Sequence, residues 1–417
     1  MTSSAPGNAD GQILAERFVS GPHVRAPDKA EHRLNEWLAE LEPSLAASLR
    51  ALLAEGLPRS ILLGIAECSP YLFDLVRADA RRFERLLRSE PQAHLAELIS
   101  RTGREVFAAT SEADVMRLLR QLKSEAALLI ALCDIGGVWP VMQVTAALTD
   151  VAVSAVQMAL RYLLRQEAVR GRLAPRDADD PEQGCGLFVL AMGKMGAGEL
   201  NYSSDIDLIV FFDPEVHSLA RDIEPQPFFV RVTQALARLL QSRTADGYVF
   251  RVDLRLRPDP ASTQVAMSTE AALHYYEREG RTWERAAMIK ARICAGDVAA
   301  GEATYRCNSV NGFTRTITSQ NNGYLTLGGQ PTTDNARRIR FNMAHTGDAG
   351  LSFAAQQLTS PVATTFGGST AFLAGETGAV SFQAFGVQGA AGGNGAPGTT
   401  VYAGNYRDTV TITVTAL

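Results

Sequence analysis

The chain has little cysteine, little charge in its last quarter, and no long stretch free of polar residues. Five cysteines are scattered at Cys68, Cys133, Cys185, Cys294 and Cys307, an odd number without a C-x-x-C pair. That spacing argues against a disulfide framework and against a zinc site, and it suits reduced thiols in a cytoplasmic setting. The longest uncharged apolar run of the helical part, Ala126–Cys133, is far below the ~20 residues of a membrane span. The opening MTSSAPGNADGQ has neither the basic cluster nor the apolar core of a signal peptide. A net charge of −5 gives no basic excess for nucleic acid or an anionic membrane.

The scarcity of charge is local. Residues 299–417 hold six Lys/Arg and five Asp/Glu and no lysine, against 34 and 40 in residues 1–298. They carry 18 glycines and 19 threonines instead. Compositions this unlike argue for two unlike modules.

Residues 1–30 read as a flexible lead-in. Residues 31–175 read as helical, rich in Ala, Leu, Arg and Glu with apolar residues three and four apart. Ser111 and Asp114 predict a capping box ahead of Val115–Leu132. Thr149 predicts the start of a second long helix with Val156, Leu160, Leu163 and Leu164 on one face. Arg172–Gln183 is a polar loop with two prolines. Residues 176–300 then read as strand Leu187–Ala191, glycine turn Gly193–Gly198, strand Ile206–Phe212, helix Phe228–Ser242 and strand Phe250–Leu256, an α+β core. Residues 301–417 change to a period of two, as in Ile339/Phe341/Met343, Val380/Phe382 and Val410/Ile412/Val414, broken by glycine-rich turns. That pattern predicts an all-β sandwich, with Gly386–Gly398 a loop of little packing capacity.

The chemistry-bearing residues lie in the α+β core. Asp205 and Asp207 are two apart, so on a strand both carboxylates share a face while Ile206 points inward. Two adjacent anions repel unless a cation sits between them, and hard oxygen ligands suit Mg²⁺ together with substrate phosphates. Gly193-Lys194-Met195-Gly196 precedes them, a turn whose backbone N–H groups can approach phosphate. Asp253 adds a third carboxylate from a later strand, with Arg255 and Arg257 expected on its face to neutralise phosphate oxygens. A D-x-D pair or a glycine turn alone is an ordinary surface feature. Their combination with an acid on another strand is rare by chance.

GKMGAGELNYSSDIDLIVFF, RVDLRLRPDP and YYEREGRTWERAAMIKARICAGD resemble the glutamine-synthetase adenylyltransferase/adenylyl-removing family, a branch of the polymerase-β-like nucleotidyltransferases. The resemblance covers about residues 30–302. It implies that Asp205, Asp207 and Asp253 are the catalytic, Mg²⁺-binding acids. It implies that Gly193, Lys194, Ser203 and Ser204 belong to the nucleotide-binding segment. Family members are two-headed, and a single nucleotidyltransferase copy behind a long helical segment resembles the first, adenylyl-removing head. The implied partners are glutamine synthetase, ATP/ADP and phosphate. The implied reaction is phosphorolysis of an adenylyl-tyrosine. Ala291-Arg292-Ile293-Cys294-Ala295-Gly296-Asp297 departs mildly from the family's A-R-P-V-A-G-D.

The tail resembles a different family. GNYRDTVTITVTAL and YRCNSVNGFTRTITSQNNG are similar to the latter part of spore-coat-protein-U/fimbrial-subunit domains, which are immunoglobulin-like secreted sandwiches. In that family the cysteine matching Cys307 pairs with an upstream strand that has no counterpart here. The expectation is therefore a fusion near Ala300. A partial sandwich of two or three strands would follow, with Cys307 unpaired and Val410, Ile412 and Val414 forming an exposed apolar strip. A secreted coat or pilus subunit with a vestigial enzyme fragment is the alternative reading.

Overall fold

The computed structural model describes residues 12–384 and 406–417, apart from 176, 217, 298, 369 and 370. Two units are found, Met1–Gly296 and Asp297–Leu417. The Gly386–Gly398 loop lies outside the described residues.

Most buried apolar residues of the first unit belong to one large hydrophobic cluster. Leu14 and Phe18 are buried in it together with Leu128, Val156, Leu187, Leu208 and Phe229. The helical residues and the α+β core, distinct by composition, are thus a single packing unit. For residues 12–30 this corrects the flexible lead-in, since Leu14 and Phe18 each remove from water a side chain worth about 1.5–3 kcal/mol, while residues 1–11 lie outside the described residues. A Cβ on Gly136 would fall 2.2 Å from the Phe18 ring, so only glycine lets that ring seat.

Helix Glu112–Ile135 begins where expected. Ser111 is its N-cap and its Oγ accepts the Asp114 amide. The next helix, Val141–Val169, starts eight residues before Thr149, behind Pro140. Thr149 is no cap. It is buried mid-helix, and its hydroxyl donates to the Thr145 carbonyl at 2.7 Å. Among the described residues this helix alone is long and apolar enough to cross a membrane by length and composition, a test that a core helix also passes. Half of its most apolar stretch is buried inside the unit, against its helical neighbours and the sheet.

The sheet contains β1 (Leu187–Ala191), β2 (Ile206–Phe212), β3 (Val252–Asp253), β4 (Ala266–Ser268) and β5 (Arg292–Gly296). Strand β1 lies between β2 and β5, antiparallel to both. On its other side β2 pairs in parallel with β3 at its start and with β4 at its end. The period of two splits β2 between two cores. Leu208, Val210 and Phe212 join the large cluster, while Ile209 and Phe211 join a small one with Leu190, Met192 and Ala272. Asp207 has the parity of Ile209 and Phe211, so it lies on the thinly covered face. Helix Pro225–Gln241 packs Phe228 and Phe229 on the large-cluster side.

The second unit has nine strands among its described residues: β6 (Ala299–Tyr305), β7 (Phe313–Ser319), β8 (Tyr324–Leu327), β9 (Arg338–Thr346), β10 (Phe353–Gln356), β11 (Val362–Phe366), β12 (Glu376–Ala384), β13 (Tyr406–Arg407) and β14 (Val410–Ala416). One sheet runs β13-β8-β9-β12-β6, with β10 also on β9, and the other runs β11-β7-β14. Ile317 and Val362 of the smaller sheet share a cluster with Phe341, Met343 and Val380 of the larger. Tyr305, Phe313, Phe366 and Phe372 form a second aromatic cluster. The expected remnant of two or three strands is therefore corrected: two sheets bury a shared interior. Val410 and Ile412 are half-buried against it, and of the anticipated strip only Val414 is exposed. None of the five cysteines forms a disulfide.

Candidate active site

Two short connections bring the candidate residues together. The first follows β1. Gly193–Ala197 is a five-residue helix rather than an open turn, closed by Gly198 at φ +76°. Gly196 permits its docking, since a Cβ there would meet the Lys290 and Ala191 carbonyl oxygens at 1.9 and 2.4 Å. At Gly193, φ +54°, a Cβ would lie 2.8 Å from Asp207 Oδ2. The Asp207 carboxylate therefore rests directly on the glycine backbone. Lys194 is exposed beside it and is one of the positive charges acting on it.

The second connection leads into β2. Leu200 N–H donates to Thr149 Oγ1 at 3.1 Å, so the central helix pins the segment. The Ser204 hydroxyl donates to Asn201 Oδ1 at 2.7 Å, and Arg251 Nη2 donates to the Ser203 carbonyl at 2.8 Å. Glu199 pairs with Lys290 at 3.3 Å, and the Tyr202 hydroxyl donates to Asp134 at 2.9 Å. These bonds give Glu199 and Asn201 positional roles that the sequence left open. Thr149, Arg251 and Lys290 were missed as supports. Lys290 lies inside one of the family-like phrases, and that was the available signal.

Asp205 is exposed just ahead of β2, Asp207 is the strand's second residue, and Asp253 is its register partner on β3. Burial first, then the charges of Asp205 and Asp253, push the Asp207 carboxyl above the usual carboxylate range. Asp253 is held below that range, chiefly by Arg255. Arg255 donates from its amide to Oδ1 at 2.8 Å and from Nε to both carboxylate oxygens at 3.0 and 2.9 Å. Strand β3 ends at Asp253 and the chain turns, so Arg255 and Arg257 do not continue a strand face. Arg257 is engaged by its own loop, donating to the Leu254, Pro260 and Thr263 carbonyls.

Among the described residues no three His, Cys, Asp or Glu side chains are gathered closely enough to enclose a divalent cation, and Asp253 is bonded to Arg255. Asp205 and Asp207 carry like charges, and burial first, then the charges of Asp205 and Asp253, make the ionised form of Asp207 costly, a cost that a cation would relieve.

The comparisons identify the family. A profile described as glutamate-ammonia ligase adenylyltransferase matches residues 60–306. A protein of Bradyrhizobium sp. (strain ORS 278), named bifunctional glutamine synthetase adenylyltransferase/adenylyl-removing enzyme, is 86% identical over 304 residues, covering 73% of this chain and 31% of the relative. Proteins with the same name from Bradyrhizobium diazoefficiens and Brucella suis biovar 1 are 71% and 43% identical, over 73% and 70% of this chain and 31% and 30% of theirs. The matched part thus spans under a third of these relatives' length. The match takes in Gly193–Gly198, the D-x-D pair and Asp253. On that extent the chain belongs to the glutamate-ammonia ligase adenylyltransferase family of nucleotidyltransferases.

Proposed function

We propose that the first unit removes the adenylyl group from adenylyl-tyrosine of glutamine synthetase in the cytoplasm. The observation that carries this reading is Asp207 lying against Gly193, in register with Asp253 and under the charge of Asp205. A phosphate oxygen attacks the adenylyl phosphorus, forming one P–O bond. The bond to the tyrosine oxygen breaks, and the phenolate takes the proton that the phosphate gives up. The products are ADP and unmodified tyrosine. Asp205 and Asp207 would hold Mg²⁺, with Asp253 the third acid. When bound, the ion neutralises charge on the transferred phosphoryl group.

The chain's own groups orient the reactants. The Gly193 backbone leaves room beside Asp207, and exposed Lys194 and Arg255 supply positive charge to phosphate oxygens. Arg255 is shared between two roles, since it neutralises Asp253 until a phosphate competes for it. Arg257 shapes the loop instead. The direction of transfer is supported by the long helical segment ahead of this core. For the second unit we retain a likeness to coat-protein-U/fimbrial domains, supported by its short strands and threonine alternation, without assigning it a step.

The test is to incubate the full chain with adenylylated glutamine synthetase, phosphate and Mg²⁺. ADP release with loss of the adenylyl group is expected. Transfer of AMP from ATP to unmodified enzyme, without ADP release from the modified form, would reverse the direction assigned here.

A further inference from the structure

Arg120 lies in the middle of helix Glu112–Ile135 and is 1% exposed. A buried guanidinium is costly unless its donors are satisfied. Here they meet backbone carbonyls. Nε donates to Gly247 O at 2.9 Å, and Nη1 donates to Met116 O at 2.8 Å and Leu239 O at 3.2 Å. Nη2 donates to Ser242 O. Leu239 and Ser242 belong to the end of helix Pro225–Gln241, where carbonyls lack intrahelical partners and a cation is favoured.

The chain turns at Thr244–Gly247, closed by reciprocal amide–carbonyl bonds of 2.9 and 3.1 Å. It then runs straight to the third acid. Val249 and Phe250 donate to Leu240 O, Arg251 O accepts the Ile206 amide, and Val252–Asp253 pair with Ile206–Asp207. One helical turn beyond Arg120, the Lys123 ammonium sits 4.4 Å from the centre of the Phe250 ring. Two cations of one helix therefore grip the segment that ends at Asp253.

We infer that Arg120 is a positioning residue that sets Asp253 against Asp207, so that the helical region registers the acid cluster. This rests on the metal-binding reading of those acids. Only a planar fork reaches carbonyls on three elements at once, and lysine's single nitrogen does not.

The experiment compares Mn²⁺ binding by the full chain, read from the electron paramagnetic resonance signal of the free ion, with thermal midpoints. Arg120→Lys is expected to weaken Mn²⁺ binding about 10-fold or more, as loss of an outer support of a metal site does. Glu125→Gln is the control. It takes the charge out of the buried contact that Glu125 of the same helix makes with His94, without touching the turn, and is expected to lower the midpoint while leaving affinity within about two-fold. Equal affinity in Arg120→Lys and wild type would reduce Arg120 to a structural role and overturn the inference. A second measurement needs no variant: Mn²⁺ is expected to slow amide exchange in wild-type residues 242–253 as well as 193–207. Slowing confined to 193–207 overturns the inference alone. No Mn²⁺ binding by the wild type overturns the site reading and the inference with it.

Discussion

Arg120 in the first unit and Arg315 in the second are the largest fully buried side chains among the described residues, and their surroundings differ. Arg120 meets carbonyls on three elements. Arg315 donates to Leu351 O at 3.0 Å, leaves Nε unpartnered, and lies 5.3–5.6 Å from the centres of the Tyr305, Phe353 and Phe366 rings. Hydrogen bonds fix direction, whereas ring faces attract a cation from many angles. Arg120 is therefore held to a geometry, whereas Arg315 is held chiefly by the rings around it, and tolerance to substitution at the two positions should differ accordingly.

The sharpest separation of the units is catalytic. Asp207→Asn and Asp205→Asn keep side-chain size and remove a charge, so ADP release should fall by about 100-fold or more while circular dichroism is unchanged. Asp253→Asn should follow, and wild-type turnover there would remove Asp253 from the site. Next comes an effect confined to the second unit. Phe313 is 1% exposed, with its ring centre 4.8 Å from that of Phe366 and 5.0 Å from that of Phe372. Phe313→Ala should cost the second unit about 3–5 kcal/mol by calorimetry and leave the first unit's transition in place. A shift of both transitions together would break the two-unit comparison.

How far the sequence disclosed this arrangement depended on where each residue's partners lie. Strands β1 and β2 were legible to the residue because continuous apolar runs buried on both faces leave few alternatives. Asp205, Asp207 and Asp253 were read as a group through motif and resemblance; the structure makes Asp207 and Asp253 register partners, and no three acidic side chains gather around an ion site among the described residues. Thr149 was misread because its partners, Thr145 O and the Leu200 amide, are respectively ordinary for any helix and 51 residues away. Arg257 was misplaced because alternation was extended past Asp253, where the chain turns. Arg120 left one local trace, a charge on an apolar face between Leu119 and Leu122, but its carbonyl partners are invisible to sequence pattern.

A smaller effect probes the ring cage. Arg315→Met should change the second unit's stability by about 1 kcal/mol or less, since apolar groups of similar volume replace a buried charge at little cost. A large loss would show that the Leu351 bond, rather than the rings, holds that core.

The smallest effect is one of pH. His345 is fully buried, with Nε2 3.0 Å from the Tyr305 hydroxyl. Burial, and then the Arg315 charge, hold its pKa below the ordinary 6.5. The unfolded chain therefore binds the proton more readily, and the second unit should lose stability as pH falls below about 6.5. A midpoint that slides between pH 7 and 5 in the wild type and stays level in His345→Gln is the expected record.

Strand β6 pairs along its length with β12, and residues 299–305 fall between the unit boundary at Gly296 and the end of the family match at residue 306. Kinship and folding therefore draw their borders in different places. The second unit is completed by a strand that the family match includes. Excising it by kinship, from residue 307 onward, would leave the β12 backbone as an open edge, a template for pairing with another copy.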